Sequence, residues 1–597
     1  MELFDWLIVL GYLIFALVVG LAVSKRGSSS LLEFFVSGRS LPWWLAGTSM
    51  AATTFSIDTP LYIAGVVGTR GIAGNWEWWN FGIAHLILIY IFARLWRRAE
   101  IVTDAELTEL RYGGHMAAVL RGTKAFLFAV PINCIAIGYA MLAMVKVIDA
   151  LELWQSLGFE PGDNLKLVSV IGVSLFVLLY SGLSGLWGVV ATDFFQFFLG
   201  LFGAIVVAVV SVNHVGGMQE LVPAVQEASR EDILVFFPFV GNVLTGNFRW
   251  SDTAGISLTT FSAYLFVQWW SFRRSDGGGE FVQRLAAAKD EGEAEKAVWF
   301  FNILHYLIRT WPWVVVALVA MVVYPNLEDP ELGYPQLMLD FLPTGMLGLV
   351  VASLVAAFMS TVSTSINWGA SYLTNDLYQR FMRPNATQGE LVLMGRVASV
   401  MVTALGAIAA FFADDVATVF RLVIAIGTGP GLVLVLRWFW WRINATAELA
   451  SMIAGFIIGL FTSLTENPIF DDFGVRLIVI SLLTAVIWVT AMLATPPESD
   501  ETLDEFYRRV RPSGWGWRRQ EARTGIPPGQ DLQKDILRVL AAIFLLFGLM
   551  LAVGGFLLLQ PLTGWISLIF AVIGGFWLRA LNKRKIKPMP RPGLDDD

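Results

Sequence analysis

The sequence predicts an all-α polytopic membrane protein, and two observations carry that prediction. Apolar runs of about 20 residues recur from end to end, each enough to cross a hydrocarbon core of roughly 30 Å. Basic residues gather in every second connection between those runs. The composition agrees: of 597 residues, 56% are hydrophobic and 15% charged. About fifteen spans can be drawn, at 3–24, 43–67, 76–98, 118–150, 166–184, 187–212, 255–274, 296–324, 345–378, 388–412, 416–438, 445–465, 474–495, 535–559 and 562–580. The first lacks a basic flank and a small-residue cleavage site, so it reads as a retained helix rather than a signal peptide. The single cysteine, Cys134, excludes an intramolecular disulfide, a Cys-rich metal site and an iron–sulfur cluster.

Charge sets the orientation. The basic clusters include Lys25, Arg26 and Arg39, then Arg94, Arg97 and Arg98, then Arg273, Arg274 and Arg284, and finally Lys583, Arg584 and Lys585. The connections between them are acidic, as in "NLEDPELGYP" and "TENPIFDDFG". The positive-inside bias places the N-terminus outside, the C-terminus in the cytoplasm and an odd number of spans in the cell membrane.

The chain divides accordingly. Residues 1–42 hold a first helix and a cytoplasmic loop, and 43–212 a set of five helices. Residues 213–254 form an external loop, whose "ILVFFPFVGNVL" reads as a helix on the outer surface. A second set of five occupies 255–438, and two peripheral helices follow in 439–495. A polar, Arg-rich cytoplasmic loop (496–534) precedes a C-terminal hairpin with a basic tail (535–597), and "KRKIKPMPRPGLDDD" reads as disordered. Each five-helix set opens on an interrupted segment. In the first, "SMAATTFSIDTPLYIAG", hydroxyls, Asp58 and Pro60 sit mid-span. In the second, "FVQWWSF" runs into Arg273, Arg274 and three glycines. Paired interruptions of this kind mark inverted-repeat transporters, and unwound backbone survives in a membrane where it lines a cavity.

Within "AAFMSTVSTSINWGASYLTNDLY", Ser360, Ser363, Thr364, Asn367 and Ser371 fall on one helical face, with Thr361 beside it. Such a stripe serves either interhelical hydrogen bonding or a hard monovalent cation, and backbone carbonyls freed at a break favour the cation. Asp193 lies at depth in its span, where a carboxylate costs roughly 2.5–3.5 kcal/mol and so faces a cavity, partner or ion. Asp58 and Glu77 meet the same argument. His305 and Arg309 are one helical turn apart. Arg309 and Arg421 read as structural partners of a carboxylate or carbonyl, or as ligands.

These segments resemble the solute:sodium symporter family over about residues 1–495. The likeness is carried by "EFFVSGRSLPWWLAGTSMAA", "GLSGLWGVVATDFFQ", "FVQRLAAAKDEGEAEKA" and the polar stripe. It implies a five-plus-five inverted-repeat core with two interrupted helices, to which the C-terminal hairpin is an addition. It also implies a principal Na⁺ site made by the carbonyls of Ala52, Phe55 and Ala357 with the hydroxyls of Ser360 and Thr361. A second ion would be held by Asp193, Ser360, Ser363 and Thr364. The solute would meet Asp58, Thr59, Glu77 and Asn80, and His305 where sugar carriers have a lysine. Gln268, in the altered 266–279 stretch, joins that set. Thr54 stands where proline carriers have an aspartate, which disfavours proline.

The expectation is a sodium-coupled symporter importing a small organic solute by alternating access, leaning to a sugar or polyol. A carboxylate or amino acid carrier and a transporter-fold sensor are the alternatives. Proton coupling through Asp58, Asp193 or His305 is disfavoured by the hydroxyl set. No nucleophile–base pattern or phosphate loop suggests an enzyme, and no organic cofactor, nucleic acid or obligate protein partner is expected beside Na⁺ and the bilayer.

Overall fold

In the computed structural model, the chain is described at residues 1–27, 30–181, 185–228, 232–242, 247–251, 255–413 and 416–583. Among these residues, eleven helices are long and apolar enough to cross a membrane, and the pair Trp43–Thr53 and Asp58–Arg70, bent by 56°, makes a twelfth. The other three predicted positions hold shorter or broken helices. They are Leu165–Ser181, a stretch from Leu258 to Ser271, and Val416–Gly427 followed by Gly431–Leu436.

The core is a five-plus-five inverted repeat with two interrupted helices. Helices of one set pack closely against helices of the other through small residues. A Cβ on Gly203 would lie 2.0 Å from the Ser353 hydroxyl, and one on Gly138 would lie 2.7 Å from Ala409. Close backbone approach of this kind is how helices associate where no water drives them together.

The second interruption runs from Phe272 to Gly278, before the helix Gly279–Ala287. Gly277 and Gly278 take φ of +119° and +56°, a region glycine enters without steric cost. The freed backbone finds partners in a third break, Thr428 to Pro430, where hydropathy predicts a continuous span. Arg273 donates its N–H to the Gly427 carbonyl and Gly429 donates to Ser271, both at 2.8 Å. Two unwound segments thus satisfy each other within the bilayer.

Three further expectations change. The segment "ILVFFPFVGNVL" is not helical where described; Phe239–Asn242 pairs with Asn247–Trp250 as an antiparallel ribbon. The 496–534 loop contains helices Asp500–Val510 and Arg518–Thr524, folded under the bundle by Arg98, which donates to the carbonyls of Val510 (3.3 Å) and Gly529 (2.9 Å). Arg273 and Arg284, counted as loop charges, are 1% and 0% exposed. Both are recruited into the buried core. The expected tail falls on 584–597, outside the described residues.

The C-terminal hairpin, Leu532–Leu557 and Pro561–Lys583, seats against the transporter core. The Phe547 ring stacks on Trp76 at 5.7 Å, and Trp311 donates to the Met550 carbonyl at 3.1 Å. Orientation is open to a direct test. With Cys134 replaced, a cysteine at exposed Asn326 is expected to react with an impermeant maleimide on intact cells, and one at Trp515, 70% exposed, to react only after lysis. Labelling of position 515 from outside would reverse the inferred orientation.

Candidate functional site

The first broken helix opens for local reasons. Thr53 and Thr54 turn their hydroxyls back on their own helix, to the carbonyls of Ser49 (2.8 Å) and of Met50 and Ala51 (both 3.1 Å). Such back-bonding weakens and bends a helix. Phe55 then donates its N–H to the Ala52 carbonyl at 2.9 Å, a turn too tight to continue the α-helix. Pro60 lies in the first turn of the second half, where its missing N–H costs no helical bond. The Phe55 ring packs on Phe197 and Trp313, and Gly200 admits it: a Cβ there would lie 2.4 Å from the ring.

The polar stripe reaches this break at one point. Thr361 donates its hydroxyl to the Thr53 carbonyl at 3.0 Å. Ala52, Phe55 and Ala357 are all buried, and only their backbone is asked to act. Ser360 turns elsewhere and donates to Asp193 Oδ1 at 2.6 Å.

Around Asp193 the arrangement differs from the expected second ion site. Ser49 donates to Asp193 Oδ2 at 2.5 Å, and the Arg284 guanidinium stands 3.6 Å from that oxygen, both charged side chains fully buried. Arg284 also donates to Thr364 Oγ1 (2.8 Å), Ser49 Oγ (3.1 Å) and Thr53 Oγ1 (3.3 Å). Asp193, Ser360 and Thr364 are therefore brought together about a cationic side chain, while Ser363 donates to the Ser360 carbonyl of its own helix at 3.2 Å.

Beside the break lies a cavity of about 200 Å³ whose lining includes Thr53, Thr54, Asp58, Thr59, His305 and Thr361. Its remaining walls are largely aromatic, with Trp78, Phe81, Tyr139, Phe281, Tyr306 and Phe420. Asp58 is 7% exposed, and its Oδ1 has no hydrogen-bond partner among the described residues. His305 Nδ1 lies 3.0 Å from the Thr54 hydroxyl and in contact with Arg309. Arg309 donates to the Ala51 carbonyl at 2.9 Å, bracing the end of the first half-helix.

Glu77, Asn80 and Gln268 are placed elsewhere. Glu77 is fully buried between Arg421 (2.9 Å) and Arg70 (3.2 Å). Asn80 donates to the carbonyls of Trp76 and Glu77 (2.7 and 2.9 Å), and Gln268 to that of Glu77 (2.9 Å). The reason is helical phase. Glu77 and Asn80 share one face, whereas Trp78, Phe81 and His85, at i, i+3 and i+7, share another and line the cavity. That spacing was visible in "WEWWNFGIAH". Arg274, Glu280, His85 and Tyr306 also line the cavity without having been anticipated. His85 Nδ1 and the Tyr306 hydroxyl are 2.8 Å apart. Arg284, within "FVQRLAAAKD", has the local sequence of a loop charge and is instead buried beside Asp193.

A helical membrane protein with paired broken helices around a central cavity is a transporter of the inverted-repeat class. The model of the sodium:solute symporter family matches residues 34–455, and the chain belongs to that family. Among curated relatives, it is 25% identical over 516 residues to a sodium/glucose cotransporter of Vibrio parahaemolyticus, covering 82% of this chain and 90% of that protein. It is 26% identical over 489 residues to sodium/myo-inositol cotransporter 2 of Oryctolagus cuniculus, covering 75% and 68%. Among solved structures, a substrate-bound, outward-open Na⁺-coupled sialic acid symporter superposes with a TM-score of 0.66 at 20% identity, covering 83% of this chain and 99% of the other, a likeness of fold. The chain is thus a multi-pass membrane protein of sodium-coupled solute transport.

Proposed function

We propose that the protein imports a small hydroxyl-bearing organic solute with Na⁺ by alternating access. The observation that carries this reading is the shared wall. Thr53, Thr361, Asp58 and Thr59 all line one cavity at the break of the first interrupted helix. Na⁺ would sit at the carbonyls of Ala52, Phe55 and Ala357 with Ser360 and Thr361. The solute would meet Asp58, Thr59 and His305, with Trp78 and Tyr306 as aromatic platforms. An ion holding the break in its open geometry pre-forms the solute side, which couples the two ligands. One Na⁺ moving through 100 mV supplies about 2.3 kcal/mol before its concentration term. The sugar and inositol carriers among the relatives support the hydroxyl-bearing class.

The test is Na⁺-dependent uptake into proteoliposomes. Thr361→Ala is expected to raise the Na⁺ concentration for half-maximal uptake several-fold with folding intact, since its hydroxyl is the one seen at the break. Ser360→Ala is expected to do so as well, provided that hydroxyl leaves Asp193 for the ion. Unchanged Na⁺ dependence in both variants refutes the ion site.

A further inference from the structure

Resting on the symport reading above, we infer that Phe547 of the C-terminal hairpin is a positioning residue for the solute site. It reaches through a notch at Gly82 and holds Tyr306, and with it His85, in place on the cavity wall. The hairpin is thereby part of the solute machinery, although the cavity's lining comes from earlier helices.

The helix Leu532–Leu557 presents a face suited to this. Phe547, Met550 and Gly554 fall at i, i+3 and i+7. Trp311 donates its indole N–H to the Met550 carbonyl at 3.1 Å, and a side chain at Gly554 would overlap the Trp311 ring. These two contacts fix the height of the helix against the core. One turn away, Phe547 is 8% exposed. Phe544, on the same helix, is 39% exposed and packs within the hairpin on Phe570 and Trp577.

What Phe547 meets is the back of the solute wall. A Cβ on Gly82 would lie 2.8 Å from Phe547 Cζ and 3.4 Å from Tyr306 Cζ, so glycine leaves the two rings room to approach. The Phe547 ring is 6.4 Å from that of Tyr306 and stacks on Trp76 at 5.7 Å. Tyr306 in turn lies nearly parallel to Trp78 at 6.1 Å, and its hydroxyl is 2.8 Å from His85 Nδ1. Trp78, His85 and Tyr306 all line the cavity.

The segments in front of the hairpin are ones that need support. Leu88–Phe92 and Ile303–Ile308 are π-helical turns, and the helix Leu532–Leu557 packs on both. Such turns are rare and recur at functional sites. Thr310 donates its hydroxyl to the carbonyls of Tyr306 (2.9 Å) and His305 (3.2 Å). The Tyr306 backbone is thus braced within its own helix and its ring by the hairpin. A side chain that presents an atom to a ligand holds its geometry when packing behind it locks its rotamer.

The experiment compares modification of His85 by diethylpyrocarbonate with that of exposed His115 in the purified full-length protein in Na⁺, read by peptide mass spectrometry. Phe547→Ala removes the ring behind Tyr306. The His85-to-His115 ratio is expected to rise at least about threefold, since the surroundings of a deleted ring close only in part. Phe547→Leu is expected to fall between. Gly82→Ala/Phe547→Ala puts a methyl against Tyr306 in place of the ring and is expected to bring the ratio back towards the parent's; a general loss of packing would be deepened by the second change. Phe544→Ala is expected to leave the ratio unchanged. In proteoliposomes, the KM of Phe547→Ala for D-glucose or myo-inositol, whichever the parent takes up, is expected to rise at least about fivefold, because a small misplacement of a positioned group is costly. The Na⁺ midpoint is expected to stay where it is. If Phe547→Ala does not fold, Phe547→Leu and the double variant carry the test. An unchanged ratio or KM in the Phe547 variants, or an equal rise in Phe544→Ala, overturns the inference and leaves sodium symport standing. Uptake of neither probe by the parent overturns the hydroxyl-bearing solute, and the labelling ratio still decides the role of Phe547.

Discussion

Arg284→Ala is expected to abolish the folded transporter, and Asp193→Asn/Arg284→Gln to recover most of it. Both side chains of this pair are fully buried, and the guanidinium is 3.6 Å from the carboxylate. Removing one member of such a pair costs about 3–5 kcal/mol, because the other is left buried and uncompensated. That is a large part of the roughly 5–15 kcal/mol by which native proteins are stable. Among the described residues, the carboxylate left by Arg284→Ala keeps two neutral donors, Ser49 and Ser360. Asp193→Asn is milder, since Arg284 retains Thr364, Ser49 and Thr53 as acceptors. Monodisperse yield and melting temperature should therefore rank the double variant above Asp193→Asn, and Asp193→Asn above Arg284→Ala. A well-folded Arg284→Ala protein with only an altered Na⁺ response would mean that Asp193 serves a cation and that its contact with Arg284 is incidental.

This pair also shows how far the sequence could be read. The broken first helix was legible because its causes are local: hydroxyls, a carboxylate and a proline within eight residues. The polar stripe was legible because helical periodicity is local too. Which member of the stripe faces what was not. Ser360 and Thr361 are adjacent, yet one meets Asp193 and the other the Thr53 carbonyl. The fate of the arginines was hidden for the same reason. Arg273 stands just before, and Arg284 just after, a polar run with three glycines, which locally reads as loop. Their burial depends on partners supplied from elsewhere in the chain: the aromatic rings of Phe128 and Trp368 for one, and Asp193 for the other. Glu77 was misplaced by one residue of phase, and Trp78 holds the cavity position instead. The break at 428–430 was readable in "GTGPG", but its role as backbone partner to 272–278 is a tertiary fact.

Asp58→Asn is expected to weaken solute binding about ten- to a hundredfold while Na⁺ binding survives. Asp58 opens the second half of the broken helix, lines the cavity, and leaves Oδ1 without a partner among the described residues. Hydroxyls of the solute would donate to it, and a hydrogen bond to a charged group contributes roughly 1.5–3 kcal/mol, which is that range of affinity at about 1.4 kcal/mol per tenfold. The substitution keeps the shape and one acceptor oxygen, so the break should not collapse. The Na⁺ ligands proposed above are backbone carbonyls and the Ser360 and Thr361 hydroxyls, none of which the change removes. Thr59→Val, a second lining position, should cost less because only a neutral hydroxyl is lost. The measurement is solute-induced thermal shift across a Na⁺ titration for the parent and both variants. Should Asp58→Asn displace only the Na⁺ midpoint and leave the solute midpoint in place, Asp58 belongs to the ion side of the break, and the solute must be held by His305, Arg274 and the aromatic walls alone.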